Sequence, residues 1–324
     1  MRIGVGLIGV GRHGSRYARH ICQDVPALRL VAIARRDAAA ARRQASELGC
    51  RAYGDFRDLL ADRDVEAVIV VAPPTLHVGI VEAAAARRLP VLLEKPAAVS
   101  VAAGQRMLQA IRAAGNPVMV AQTLRYNGVV RVLLAARARV GRIHALRLSQ
   151  RFEPSRPGWI DDPAVAGGGI TLHTGVHSFD LARLFTGLEA ERVSCEVTCV
   201  KTHNTEDNFS AVIRFSDGVT LASIAGSRAT ASRNGPLELT GEDGQLFGDH
   251  LLNVAYAVQG VIVSPLEVPP PVATVPAVLR DFATALQAGA PMPIPLEEGL
   301  RAVAIADACY RAARSGRAEP VEAI

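Results

Sequence analysis

The sequence predicts an α/β protein in two parts, a parallel strand–helix alternation over residues 1–122 and a mostly antiparallel sheet with flanking helices over residues 123–324. Three observations predict it. Apolar, β-branched runs without alternation recur through the first part, the pattern of strands covered on both faces. Longer strands that alternate apolar and polar residues, joined by tight turns, fill the second. A glycine-rich turn, G-x-G-x-x-G, joins the first strand to the first helix. With 324 residues, 49% of them hydrophobic, the chain can fill two cores and is not a disordered one. The 36 Lys and Arg against 31 Asp and Glu leave a net charge of +5. The arginines are scattered, and aromatics make up only 4% of the chain, which speaks against a nucleic-acid surface. No apolar run approaches the roughly 18 residues of a membrane helix, so no membrane partner is expected.

Taken in order, Ile3–Val10 reads as a buried strand, Arg12–Asp24 as a helix and Leu28–Ala34 as a second strand. Ala38–Leu48 is an alanine-rich helix stopped by Gly49. Val65–Ala72 is a third strand, Leu76–Arg88 a helix, Val91–Leu93 a short strand, Val101–Ala114 a helix stopped by Gly115, and Val118–Ala121 a further strand. Past residue 123 the strands are Arg142–Phe152, Arg192–Lys201, Asn208–Phe215 and Val219–Ser227, the last two joined at Asp217-Gly218. Leu237–Leu239 and Gln245–Phe247 flank a tight turn at Gly241–Gly244. Helices are expected at Val129–Val140, Thr174–Phe185, Val275–Ala288 and Leu296–Ser315, and the five prolines of Ser264–Pro276 read as an extended connection. Five cysteines at unhelpful spacings read as buried thiols of a reducing cytoplasm, and no metal-ligand cluster stands out.

The turn Gly9-Val10-Gly11-Arg12-His13-Gly14 has the context that a dinucleotide site needs, a buried strand before it and a helix after it. Gly9 permits the tight turn, Gly11 lets a pyrophosphate approach the backbone, and Gly14 lets helix and strand pack closely. Phosphates then meet the N–H groups and positive dipole end of the helix, with Arg12 and His13 at hand. Where an acid would hold the ribose hydroxyls, the second strand ends Ala34-Arg35-Arg36-Asp37. A guanidinium suits a 2′-phosphate better than a hydroxyl pair, so Arg35, with Arg36, predicts NADP(H) over NAD(H). The alternative leaves both arginines at the surface and gives the ribose to Asp37, with NAD(H) as cofactor.

Glu94-Lys95-Pro96 closes a strand of the same sheet, and ligands of such sheets lie beyond the carboxyl ends of the strands. Lys95 is the candidate acid/base, a partly desolvated amine suited to exchanging a proton with a hydroxyl or carbonyl. After Gly167-Gly168-Gly169, read as a flexible approach, His173 and His177 stand i, i+4 at the start of a helix. Neutral imidazoles there could polarise or orient a substrate oxygen. Without H-E-x-x-H or an obvious third ligand, a metal pair is the weaker reading.

This ordered series resembles the glucose–fructose oxidoreductase / inositol dehydrogenase / rhizopine-catabolism (Gfo/Idh/MocA) oxidoreductase family. The likeness runs through Gly9–Gly14, Ala72-Pro73-Pro74-Thr75-Leu76-His77, Glu94-Lys95-Pro96, Leu124-Arg125-Tyr126-Asn127, Gly167–Asp180 and the two final helices. The resemblance implies an N-terminal Rossmann domain, a C-terminal α/β domain with a large open sheet, and association through that sheet as a homodimer or homotetramer. It makes Lys95 the catalytic lysine and His177 the substrate-site histidine. Ala72, Pro73, Pro74, His77 and Glu94 fall in the cofactor site, and Arg125 and Tyr126 line the substrate cleft. Trp159, the single tryptophan, falls on a loop that approaches substrate, where stacking on a sugar ring and simple packing are equal alternatives. One departure stands out: His173 occupies the position where inositol-type members carry an aspartate. The expected activity is NADP(H)-dependent hydride transfer to or from a sugar, cyclitol or related hydroxy/keto compound. The alternatives are a redox-neutral epimerase or lyase with tightly held cofactor, and a non-catalytic NADP(H)-sensing regulator.

Overall fold

The computed structural model describes residues 2–154 and 158–324. Its contacts separate into two units. The first takes the chain up to Ala98 with Ala102–Thr123 and Ala273–Leu300; the second takes Val99–Val101, Leu124–Val272 and Arg301–Ile324.

In the first unit the chain runs β1 (Ile3–Ile8), α1 (Gly14–Gln23), β2 (Leu28–Ala34), α2 (Ala38–Leu48), β3 (Arg51–Tyr53), α3 (Phe56–Ala61), β4 (Ala67–Val70), α4 (His77–Ala86), β5 (Val91–Glu94), α5 (Val101–Ala114) and β6 (Val118–Ala121). The strands form one sheet in the order β3-β2-β1-β4-β5-β6, every neighbouring pair parallel. β4, β5 and β6 are buried at every residue, as strands covered on both faces must be. The first strand stops at Ile8, short of Val10, because Gly9 turns the chain with φ of +92°. Asp37 caps α2 by accepting from Ala40 N at 2.9 Å, and Gly49 ends it in the left-handed region. β3 and α3 were not expected from sequence. The order reverses direction beside β1, so the turns after β1, β4 and β5 all open at the carboxyl ends of adjacent strands.

The second unit opens with α6 (Gly128–Ala136), capped by Asn127, and β7 (Ile143–Arg151). There follow α7 (Pro163–Ala166), a wide π-type turn over Thr171–Gly175, α8 (Val176–Thr186), β8 (Ala190–Thr198), β9 (Asn208–Phe215) and β10 (Leu221–Ser227). Next come β11 (Pro236–Gly241), β12 (Gly244–Asp249), β13 (Val254–Gln259) and β14 (Ile262–Pro265). The chain then enters α9 (Val275–Ala288), α10 (Leu296–Ser315) and the short β15 (Glu319–Pro320). Among the described residues nine strands form one sheet in the order β14-β13-β12-β11-β7-β10-β9-β8-β15. Every neighbouring pair is antiparallel except β7 and β10, which run parallel. The alternation read in the sequence is real: β9 buries Phe209, Ala211, Ile213 and Phe215 while Ser210, Val212 and Arg214 face outward. The inner face packs on Val129, Val130 and Leu133 of α6 and Val176, Phe179 and Phe185 of α8. The outer face leaves Val212, Leu221 and Val254 exposed.

α9 belongs with the first unit, where it packs on α1 and where Val120 of β6 donates its N–H to Ile294 O at 2.8 Å. The expectation of uniformly buried thiols is corrected. Cys195 and Cys309 are buried, but Cys22 sits on the outer side of α1, Cys199 lies just past the end of β8, and both are exposed.

Candidate functional site

The glycine turn has the shape that its sequence implies. A Cβ on Gly9 would lie 2.5 Å from Val71 O, and one on Gly14 would strike Gly9 O, so both positions exclude side chains for packing reasons. Around Gly11 there is open space within 4 Å, the cradle in which a phosphate can reach backbone N–H groups. Just past the end of β2, Arg35 Nη1 donates to Gln44 Oε1 at 2.9 Å and to Val10 O at 3.5 Å, which places the guanidinium over the turn. Asp37 is occupied as the cap of α2. Its hydrogen bond from Ala40 N, and next the charges of Arg35 and Arg43, hold its carboxyl below the usual range against slight desolvation. Arg12 and Arg36 are exposed. These residues fit a nicotinamide dinucleotide.

The Lys95 turn is tied to the glycine turn through Glu94. That carboxylate is 5% exposed and accepts from Tyr17 OH at 2.6 Å, His13 Nε2 at 2.8 Å and Lys95 N at 2.9 Å. Burial pushes its pKa up. The His13 hydrogen bond and charge, the Lys95 charge and the Tyr17 hydroxyl outweigh burial and hold it below the ordinary value. Burial, and then the Glu94 charge, raise Tyr17 well above the usual phenol, so it stays a donor. Lys95 is part-exposed and joined to Pro96 by a cis peptide bond. His77, expected along the cofactor, is fully buried, with Nε2 3.0 Å from Ala72 O and Nδ1 3.2 Å from Ala97 O. It braces the Ala72-Pro73-Pro74 loop and the segment after Pro96 from behind. Burial draws its pKa down, against the opposite pull of the two carbonyls.

In the second unit the candidate residues divide by exposure. His177 is the one part-exposed residue in the stretch Thr171–Arg183. His173 is buried. Its Nε2 donates to Ala166 O at 3.0 Å, and its ring meets Trp159 edge-on at 5.8 Å. Trp159 is 39% exposed, and the turn that carries it is anchored by Asp161, which accepts from His203, Asn204 and Thr205 N–H groups. Arg125 grips the buried Asp180 through two bonds of 2.8 and 2.6 Å. Tyr126 is 7% exposed, with the Arg131 guanidinium 5.1 Å from its ring centre.

The glycine run before the histidines is a fitted joint, which corrects the reading of it as a flexible approach. A Cβ at Gly168 would meet the Tyr310 hydroxyl, and one at Gly169 would meet the backbone and carboxylate of Glu206. Glu206 and Tyr310 were not singled out from sequence, nor were Tyr17 and Asp180. Their partners lie 104, 77 and 55 residues away for the Tyr310–Glu206, Tyr17–Glu94 and Arg125–Asp180 bonds, distances at which local pattern carries no signal.

Comparison with known proteins bears on the whole chain. A profile described as an oxidoreductase family with an NAD-binding Rossmann fold matches residues 3–122, and the GFO/IDH/MocA C-terminal domain matches residues 130–247. The D-xylose 1-dehydrogenase (NADP(+)) 2 of Haloferax volcanii is 29% identical over 301 residues, covering 89% of this chain and 90% of that protein. The myo-inositol 2-dehydrogenase of Thermotoga maritima is 28% identical over 256 residues, covering 76% of this chain and 75% of that one. The crystal structure of an oxidoreductase domain protein from Kribbella flavida shares the fold, with a TM-score of 0.90 at 24% identity over 99% of this chain and 100% of that chain. With the dinucleotide turn, the Glu-Lys-Pro strand end and the open second sheet all present, and both domain profiles matched in order, the chain belongs to the Gfo/Idh/MocA oxidoreductase family.

Proposed function

We propose that the protein is an NADP(H)-dependent oxidoreductase acting on a CH–OH or keto group of a sugar, cyclitol or related compound. The observation that carries this reading is the junction of the two turns at Glu94. One buried carboxylate fixes His13 of the nucleotide turn, Tyr17 of α1 and the backbone of Lys95 together. The backbone of Lys95 is thereby tied to the same carboxylate that holds His13, which supports Lys95 as the acid/base beside the cofactor. The relatives named for xylose and inositol support a polyhydroxylated substrate. When bound, the nicotinamide nucleotide takes up or delivers the hydride. Lys95 exchanges the hydroxyl proton and His177 orients the oxygen, while His173, expected to share that role, is buried with Nε2 committed to Ala166 O. Trp159 offers an apolar face to a sugar ring, and Arg125 and Tyr126 complete the substrate residues, the Arg125 charge being already matched by Asp180. NADP(H) is favoured because Arg35 lies over the turn while Asp37 is committed to its helix. The exposed Val212, Leu221 and Val254 support association as a homo-oligomer through the second sheet, and the cysteine pattern supports a cytoplasmic setting.

A panel of sugars, cyclitols and keto-sugars assayed with both nucleotides tests the activity. Lys95→Ala is expected to cut kcat by about 10²–10⁴-fold, the usual worth of a general acid/base, while NADPH titration shows binding retained. Turnover in Lys95→Ala within a few-fold of the parent overturns the assignment.

A further inference from the structure

The segment that carries both histidines is gripped at three successive residues by one distant residue. Glu206 Oε2 accepts from Gly169 N at 3.1 Å, Glu206 Oε1 from Thr171 N at 3.0 Å, and the Glu206 carbonyl from Ile170 N at 2.9 Å. Tyr310 of α10 completes the grip, donating to Glu206 Oε1 at 2.8 Å and accepting from Gly169 N at 3.2 Å. Burial, followed by the Glu206 charge, raises Tyr310 well above the ordinary phenol, so it remains a neutral donor. On the far side of the turn, Arg228 Nη2 donates to Thr174 Oγ1 at 2.7 Å. Burial draws that guanidinium down to about 10, with the Glu206 charge pulling the other way.

What is gripped is an uncommon piece of backbone. Thr171–Gly175 forms a π-type turn, a geometry rare in proteins and concentrated at functional sites. An ordinary helix start needs no such clamp, since a cap residue or water can take its first N–H groups. Here the glycines at 168 and 169 let Glu206 and Tyr310 close directly on the chain, and any side chain would push them away.

We infer that Glu206 is a positioning residue: with Tyr310 it holds the π-type turn that carries His173 and leads directly into His177 in the first turn of α8, and so sets where the His177 imidazole stands. The inference rests on the reading of His177 as a substrate-side residue.

The test uses full-length Glu206→Gln, Glu206→Asp and Tyr310→Phe. Histidine ring C–H resonances are followed by NMR in histidine-labelled protein, together with NADPH affinity and steady-state kcat and KM on the best panel substrate. Glutamine keeps the length but turns one acceptor into a donor that faces a backbone N–H. Glu206→Gln is expected to keep NADPH affinity, to move the His173 and His177 resonances while leaving those of His13 and His20, and to lower kcat more than it raises KM. The expected loss is about a hundredfold, as for a catalytic group misplaced by about 1 Å. Glu206→Asp, with the charge but one methylene less reach, is expected to recover part of it. A folded Glu206→Gln with unchanged histidine resonances and unchanged kcat overturns the inference. If Glu206→Gln does not fold, Tyr310→Phe decides on the same resonances: shifts at His173 and His177 support the grip, and their absence overturns it. Failure of the underlying reading looks different, because the parent enzyme would then turn over no panel compound while the resonances still respond.

Discussion

Asp161 takes the N–H groups of Asn204, Thr205 and His203 at 2.9, 2.9 and 3.0 Å, and these bonds hold its carboxyl at about 2. A carboxyl depressed on folding stabilises the native loop fully above its ordinary value near 3.8, and that contribution is lost as pH falls through about 2. The single tryptophan sits two residues away, so its emission reports this anchor directly. Emission in the parent protein is expected to hold steady from neutral pH to about 4 and to shift as Asp161 protonates. Asp161→Asn is expected to show the shifted emission already at pH 7, in a fluorescence titration of both proteins. The importance of Trp159 could be suspected from its solitary place on a loop. That Asp161 pins this loop to residues 203–205 could not be seen, because the acceptor and its donors are separated by 42 to 44 residues.

Helices ended by glycine were legible almost to the residue. Ala38–Leu48, Val101–Ala114 and Val275–Ala288 stop where Gly49, Gly115 and Gly289 take φ of +65°, +70° and +60°. The pieces that escaped are short: Arg51–Tyr53, Phe56–Ala61, Pro163–Ala166, Val254–Gln259, Ile262–Pro265 and Glu319–Pro320 hold two to six residues, too few for a period to emerge reliably. The π-type turn escaped for another reason, since the residues that bond its first N–H groups, Glu206 and Tyr310, lie elsewhere in the chain. The nucleotide turn was read correctly in placement, and its three glycines do different work. Gly14→Ala drives a methyl into Gly9 O and is expected to cost about 1–3 kcal/mol of stability, as overpacking does. Gly11→Ala meets open space, so it is expected to leave the thermal midpoint alone and to weaken NADPH binding. Thermal melts and NADPH titrations of the two variants, run side by side, distinguish these outcomes.

At the scale of the molecule, cofactor choice becomes a question of stability. A ligand at a hundred times its Kd adds about 2.7 kcal/mol to the native state. Given Arg35 over the turn, NADPH is expected to raise Tm more than NADH at equal concentration, with the order reversed in Arg35→Asp. Equal shifts in the parent protein would remove the case for NADP(H). The two sheet types were legible because a strand covered on both faces and a strand covered on one have different sequence periods. The return of residues 273–300 to the first unit was not, because nothing in a helix's own pattern names the surface it will cover.

That return has a consequence for biosynthesis. The edge of β6 waits for Ile294, and α1 waits for α9, yet β7 to β14 of the second sheet must be translated before either arrives. At about 5–20 residues per second, roughly ten to forty seconds pass between the ribosomal exit of Gln122 and that of Leu300. Throughout that interval the nascent nucleotide-binding half carries an unsealed flank, the edge of β6 and the face of α1 open to water.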